Sequence, residues 1–145
     1  MKVFLDTNVL VSAVIKQHVF HNRSFVVLER VLDQKDDGVI SAHSLAEMYS
    51  VLTKLPVPYR HTPEQALLSI EENISKCFKT VGLSGNEYAG LLREAAGSGI
   101  LGGAIYDALL LKCAAKAGVD RIYTWNLKHF QALATPDIAS KLSEP

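Results

Sequence analysis

The sequence predicts an α/β domain in which helices cover both faces of a parallel sheet. Three observations carry this expectation. Short apolar runs of strand length alternate along the chain with longer helical patterns, the order that builds parallel sheets. The 145 residues suit one domain over 1–145. Hydrophobic residues make up 48%, enough for a substantial core.

Lys2 to Leu5 reads as the first strand, and Thr7 or Asn8 as the cap of a helix over Val9 to Lys16. A second helix covers Ser24 to Leu32, with Val27, Leu28, Val31 and Leu32 as its apolar face. Asp36-Asp37-Gly38 makes a turn, and Val39-Ile40 a second strand. Ser41 or Ser44 begins the next helix. Its stripe is Leu45, Met48, Tyr49, Leu52 and Leu55, and Pro56 and Pro58 end it.

Thr62-Pro63-Glu64-Gln65 is a helix start, with Thr as cap, Pro in the first turn and Gln three residues on. Leu67, Ile70, Ile74 and Cys77 continue that helix. Phe78 to Leu83 is a third strand. Ser84-Gly85-Asn86-Glu87 is a second capping box, followed by Leu91, Leu92, Ala95 and Ala96. The GSGILGG segment, residues 97 to 103, reads as a flexible loop. A helix from about Ala104 to Ala117 ends at Gly118. Arg121 to Trp125 is a fourth strand, and Asn126 caps a short helix through Phe130. The tail after Pro136 carries no clear pattern.

Charge and cysteine usage narrow the function classes. Fifteen basic and fifteen acidic residues leave no net charge, which disfavours a protein gripping long duplex DNA through its overall field. Cys77 and Cys113 lie far apart and read as two reduced, packed thiols in a reducing compartment. No apolar run approaches the roughly 18 residues of a membrane span. Asp6 interrupts the opening apolar stretch, so it does not make a signal peptide. A cytoplasmic protein is expected.

Three acids and an amide fall where strands hand over to helices: Asp6, Glu47, Asp107 and Asn126. In parallel sheets, ligands bind beyond the carboxyl ends of the strands. Each residue alone has an ordinary reading. Asp6 makes a turn, Glu47 is a solvated helix residue, Asp107 complements a helix dipole, and Asn126 caps a helix. Together they suggest more. Convergent carboxylates repel unless a cation sits between them. Hard cations such as magnesium or manganese choose carboxylate and water oxygens, and such ions activate water and neutralise phosphate charge. The joint expectation is a magnesium or manganese site that hydrolyses a phosphodiester.

The other candidates are weaker. His43 and Glu47 share a helix face, but no further zinc ligand follows at usable spacing, so His43 reads as a surface residue. His18 and His21, in HVFH, read as surface residues, and His129 as a structural residue packed near the last strand. Tyr59 and Arg60 read as a solvated loop. No Lys-Ser or Lys-Thr follows Gly99 to Gly103, which excludes a Walker-type phosphate loop.

Four segments in order, VFLDTNVLVSA, SAHSLAEMYSVLTKLP, GGAIYDALLLKCAAKAG and IYTWNLKHF, resemble PIN-domain ribonucleases, close to the VapC-like toxins of VapBC toxin–antitoxin pairs. The resemblance spans nearly the whole chain. It implies a three-layer α/β/α sandwich with a central parallel sheet. It implies RNA as substrate, cut by a metal-activated water, with a cognate antitoxin protein and a homodimer. On matching positions, Asp6 and Asp107 are the direct metal ligands. Glu47 binds metal through water or helps to orient the attacking water. Asn126 falls where many members carry a fourth acid and others asparagine. Thr7, Asn8 and Thr124 are the hydrogen-bonding residues behind them.

Two alternatives compete. An aspartyl-phosphate phosphatase also begins with an apolar strand ending in Asp, but it needs a second aspartate two residues on, where Asn8 stands. A non-catalytic PIN-like module binding RNA or protein would be favoured by loss of acids, and three are retained.

Overall fold

The computed structural model describes residues 1–145, and its sheet grows outward from the first strand. Lys2–Leu5 (β1) lies at the centre, hydrogen-bonded on one side to Asp37–Ser41 (β2) and on the other to Arg121–Tyr123 (β4). Lys79–Val81 (β3) joins β2, and Leu142–Ser143 (β5) joins β4, giving the order β3-β2-β1-β4-β5 with every pairing parallel. The register sets Phe4 beside Val39 and Ile122.

Helices connect the strands. Thr7–Val14 (α1) and His21–Leu32 (α2) lead from β1 to β2. Ala42–Lys54 (α3) and Pro63–Ile70 (α4), the latter prolonged by a π-turn over Glu71–Ser75, lead to β3. Gly85–Ser98 (α5) and Ala104–Ala117 (α6) lead to β4, and Leu127–Leu133 (α7) and Pro136–Ala139 (α8) to β5.

Alternation along the strands separates two cores, because successive side chains point to opposite faces. Val3, Leu5 and Ile40 pack with Val9, Leu28 and Met48 on one face. Phe4, Val39 and Ile122 pack with Leu110, Ala114 and Phe130 on the other. The result is the expected α/β/α sandwich. No helix is long and apolar enough to cross a membrane.

Local chemistry explains the boundaries. Ser41 caps α3, its side chain accepting from the His43 N–H. Both anticipated capping boxes form, Thr62 with Gln65 and Ser84 with Glu87. Gly118 ends α6 at φ 62°, in the left-handed region that glycine enters without strain. Gly38 has a steric reason: a Cβ there would stand 2.6 Å from the Phe78 ring and from Val31. Asp36, two residues before it, is buried. It accepts from the chain's amino terminus at 3.0 Å and from Arg30 Nε at 2.6 Å.

Several expectations are corrected. The first helix starts at Thr7, so Asp6 itself takes the cap position. The second starts at His21, three residues early. The α4 helix stops at Ile70, and Cys77 is exposed rather than packed, while Cys113 is buried. The 97–103 loop is shortened, because α5 runs to Ser98. The tail supplies α8 and a fifth strand.

Candidate active site

The strand order reverses at β1. Connections run from β1 towards β2 and β3 on one side, and to β4 and β5 on the other. A crevice opens at such a point beyond the strand ends. Asp6 follows β1 there, and Thr124, Trp125 and Asn126 follow β4.

Asp6 is held on all sides. Its N–H donates to the Tyr123 carbonyl at 3.0 Å, continuing the sheet by one bond. Its Oδ2 accepts from Thr124 Oγ1 at 2.7 Å, and the residue is only 4% exposed. Burial pushes its carboxyl up to about 7. The Thr124 hydrogen bond opposes that rise, the charges of Asp107 and Glu47 add to it, and the Thr7 backbone opposes it slightly.

The other expected residues meet it in one cleft of about 230 Å³, lined by Asp6, Glu47, Asp107 and Asn126, with Thr7 and Asn8 beside them. Glu47 projects from α3. Its Oε1 approaches His43 Nε2 to 2.7 Å, one turn back on the same helix. That approach lacks hydrogen-bond alignment: Oε1 is out of solvent and no donor meets it at a suitable angle. Asp107 stands in the first turn of α6. Burial raises its carboxyl, and nearby His129 draws it part-way back. Asn126 is exposed and occupies the cap position of α7, but its side chain makes no capping bond.

The supporting residues divide. Thr124 bridges the acid site, donating to Asp6 and accepting from the Asn126 N–H at 2.9 Å. Thr7 Oγ1 instead donates to Ser44 Oγ, tying α1 to α3, while Asn8 Oδ1 accepts from the Trp125 N–H. His18 also lines the cleft. Sequence reasoning placed it on the surface, because only folding brings the chain after α1 back over the acids. His129 is exposed rather than packed.

The donor set suits a hard divalent cation. Every candidate ligand atom is oxygen, Asp6 is a desolvated carboxyl facing two more, and Glu47 Oε1 is a buried acceptor without a donor. No three His, Cys, Asp or Glu side chains stand close enough together to hold a metal ion by themselves, so water would have to complete the coordination. Magnesium keeps several of its waters, so loosely spaced carboxylates suit it better than they would zinc. A larger groove of about 400 Å³ between α5, α6 and α8 is lined by Leu91, Leu111 and Ile138, and no such acids converge there.

The sequence pattern of the PIN domain matches residues 2–128. The chain belongs to the PIN-domain family. The PIN domain is 35% identical over 114 residues to Ribonuclease VapC40 of Mycobacterium tuberculosis, covering 78% of each chain. It is 30% identical over 137 residues to Ribonuclease VapC27 of the same organism, covering 94% of this chain and 85% of that one. It is therefore VapC-like. The fold agrees. VapBC2 from Rickettsia felis, solved bound to a DNA fragment from their promoter, superposes with a TM-score of 0.67 at 23% identity, over 99% of this chain and 98% of that one. VapC20 of Mycobacterium tuberculosis, described as a Sarcin-Ricin loop cleaving toxin, gives 0.69 at 14% identity, over 90% and 95%.

Proposed function

We propose that this PIN domain is a magnesium- or manganese-dependent endoribonuclease and the toxin of a toxin–antitoxin pair. One observation carries the reading: a buried carboxylate, Asp6, faces Asp107 and Glu47 in a single cleft at the switch point of the sheet. The relatives named ribonucleases support RNA as the substrate. The structural neighbours solved as toxin–antitoxin assemblies support an antitoxin partner. A homodimer and a cytoplasmic location go with the same reading.

Asp6 and Asp107 would hold the ion directly, and Glu47 would hold it through water or orient the attacking water. When bound, the ion supplies a water of lowered pKa and offsets phosphate charge. The chain's own residues do the rest. Thr124 holds the Asp6 carboxylate in one orientation. Asn126 offers an amide that positions water or a phosphate oxygen without adding negative charge. Asp6, desolvated and repelled by its neighbours, gains most from a cation.

The test is cleavage of a mixed RNA pool with magnesium, manganese or chelator, beside a folded Asp6→Asn variant. Metal-dependent cleavage that the variant loses supports the reading. Cleavage that persists in the variant refutes the assigned site. No cleavage by the wild type, with no metal-dependent rise in Tm, favours a non-catalytic binding module.

A further inference from the structure

We infer that Tyr106 forms a base-stacking subsite, on which a nucleobase flanking the cut phosphate lies. This inference rests on the RNA-cutting reading and adds how the RNA is held. Tyr106 precedes Asp107 in the chain and lines the same cleft as the acids. Its ring stacks on the His43 imidazole, with centroids 5.1 Å apart and planes 5° from parallel. His43 in turn contacts Glu47 at 2.7 Å. The phenol ring is thus backed on one side by a residue that also touches the acid site. Yet Tyr106 is 53% exposed, so much of this ring remains open at the mouth of the cleft.

Two further observations favour a base as the occupant. No lysine or arginine lines the cleft, so no cationic side chain pairs with phosphates there. Stacking on aromatic rings is the other main source of affinity for single-stranded RNA, and it tolerates any base because each has a π-face. The other ring nearby is already occupied: Trp125 is stacked by Phe20 at 4.0 Å and carries the Arg23 guanidinium at 4.8 Å. Besides the His18 imidazole, Tyr106 is the aromatic ring that lines the cleft, and it is the larger stacking surface there.

The experiment compares binding of two fluorescein-labelled probes by anisotropy, in magnesium. One is a random-sequence single-stranded RNA 12-mer, and the other an abasic ribose-phosphate oligomer of equal length. Every protein sample carries Asp6→Asn to stop cleavage, alone or with Tyr106→Phe or Tyr106→Leu. The expected result is a loss of roughly 5- to 100-fold for Tyr106→Leu on RNA. Tyr106→Phe stays within about twofold, because its π-face is kept. The abasic probe binds weakly and equally to all. RNA binding unchanged in Tyr106→Leu overturns the inference, as does an equal loss on both probes. If the Asp6→Asn protein binds neither probe and the wild type cuts no RNA, the RNA-cutting reading itself falls, and this inference with it.

Discussion

Thr124 Oγ1 donates to Asp6 Oδ2 at 2.7 Å, and the same hydroxyl accepts from the Asn126 N–H at 2.9 Å. One buried hydroxyl thereby joins the carboxyl end of β1 to that of β4. Removing it leaves a buried carboxylate short of a donor. Thr124→Val is expected to cost about 1–3 kcal/mol in urea denaturation at pH 7, and Thr124→Ser much less. Equal midpoints for all three proteins would show that the bond is not structural.

Asp6 gives a pH signature with a definite sign. Its folded carboxyl titrates near 7, above its ordinary value of 3.8, so between those values the folded state holds more protons than the unfolded. Stability therefore falls as pH rises across that window, and the penalty is complete above it. Asp6→Asn, which cannot ionise, should gain on the wild type from pH 4 to pH 7, by on the order of 4 kcal/mol at most. Urea melts in chelator across this range measure it. A constant difference between the proteins would contradict the assignment, and excess magnesium should flatten the wild-type slope.

Asp36 behaves in the opposite sense. The Arg30 hydrogen bond holds its carboxyl below the usual range, against the effect of burial, and the amino terminus helps. Its contribution is fully present above the unfolded carboxylate value and is lost as pH falls through the depressed one. Asp36→Asn is expected to cost about 1–3 kcal/mol at neutral pH. Thermal melts should show the difference shrinking in acid. A difference independent of pH would mean that the charge plays no part.

Gly38→Ala tests packing rather than charge. The added methyl has no room against Phe78 and Val31, so about 1–3 kcal/mol should be lost. Equilibrium unfolding reads this directly. A neutral result would require that the Phe78 ring can rotate away, which chemical shifts of that ring would reveal.

What was legible in the sequence was local. Both capping boxes need only residues three apart, and both were readable. The β1 strand was readable because it meets apolar neighbours on both faces, and Asp6 because it breaks that run. The edges were harder. Leu142–Ser143 is a strand only because β4 offers it partners, and two residues hold no period. The π-turn after Ile70 breaks the helical spacing that carried the stripe to Cys77. His18 and Tyr106 join the cleft through tertiary contacts, and His43 gains its meaning from Tyr106, 63 positions away by the numbering. No window of sequence contains such pairs.

The order of assembly has a consequence for how the protein is made. Asp6 and the hydroxyl that orients it lie 118 residues apart, just past the ends of two strands that are neighbours in space. A nascent polypeptide leaving the ribosome exposes its first aspartate early, yet the wall that completes the pocket is translated near the end. A message cut short before Thr124 yields a product without the pocket. The pocket is therefore completed only after Thr124 has been translated and β4 has paired with β1.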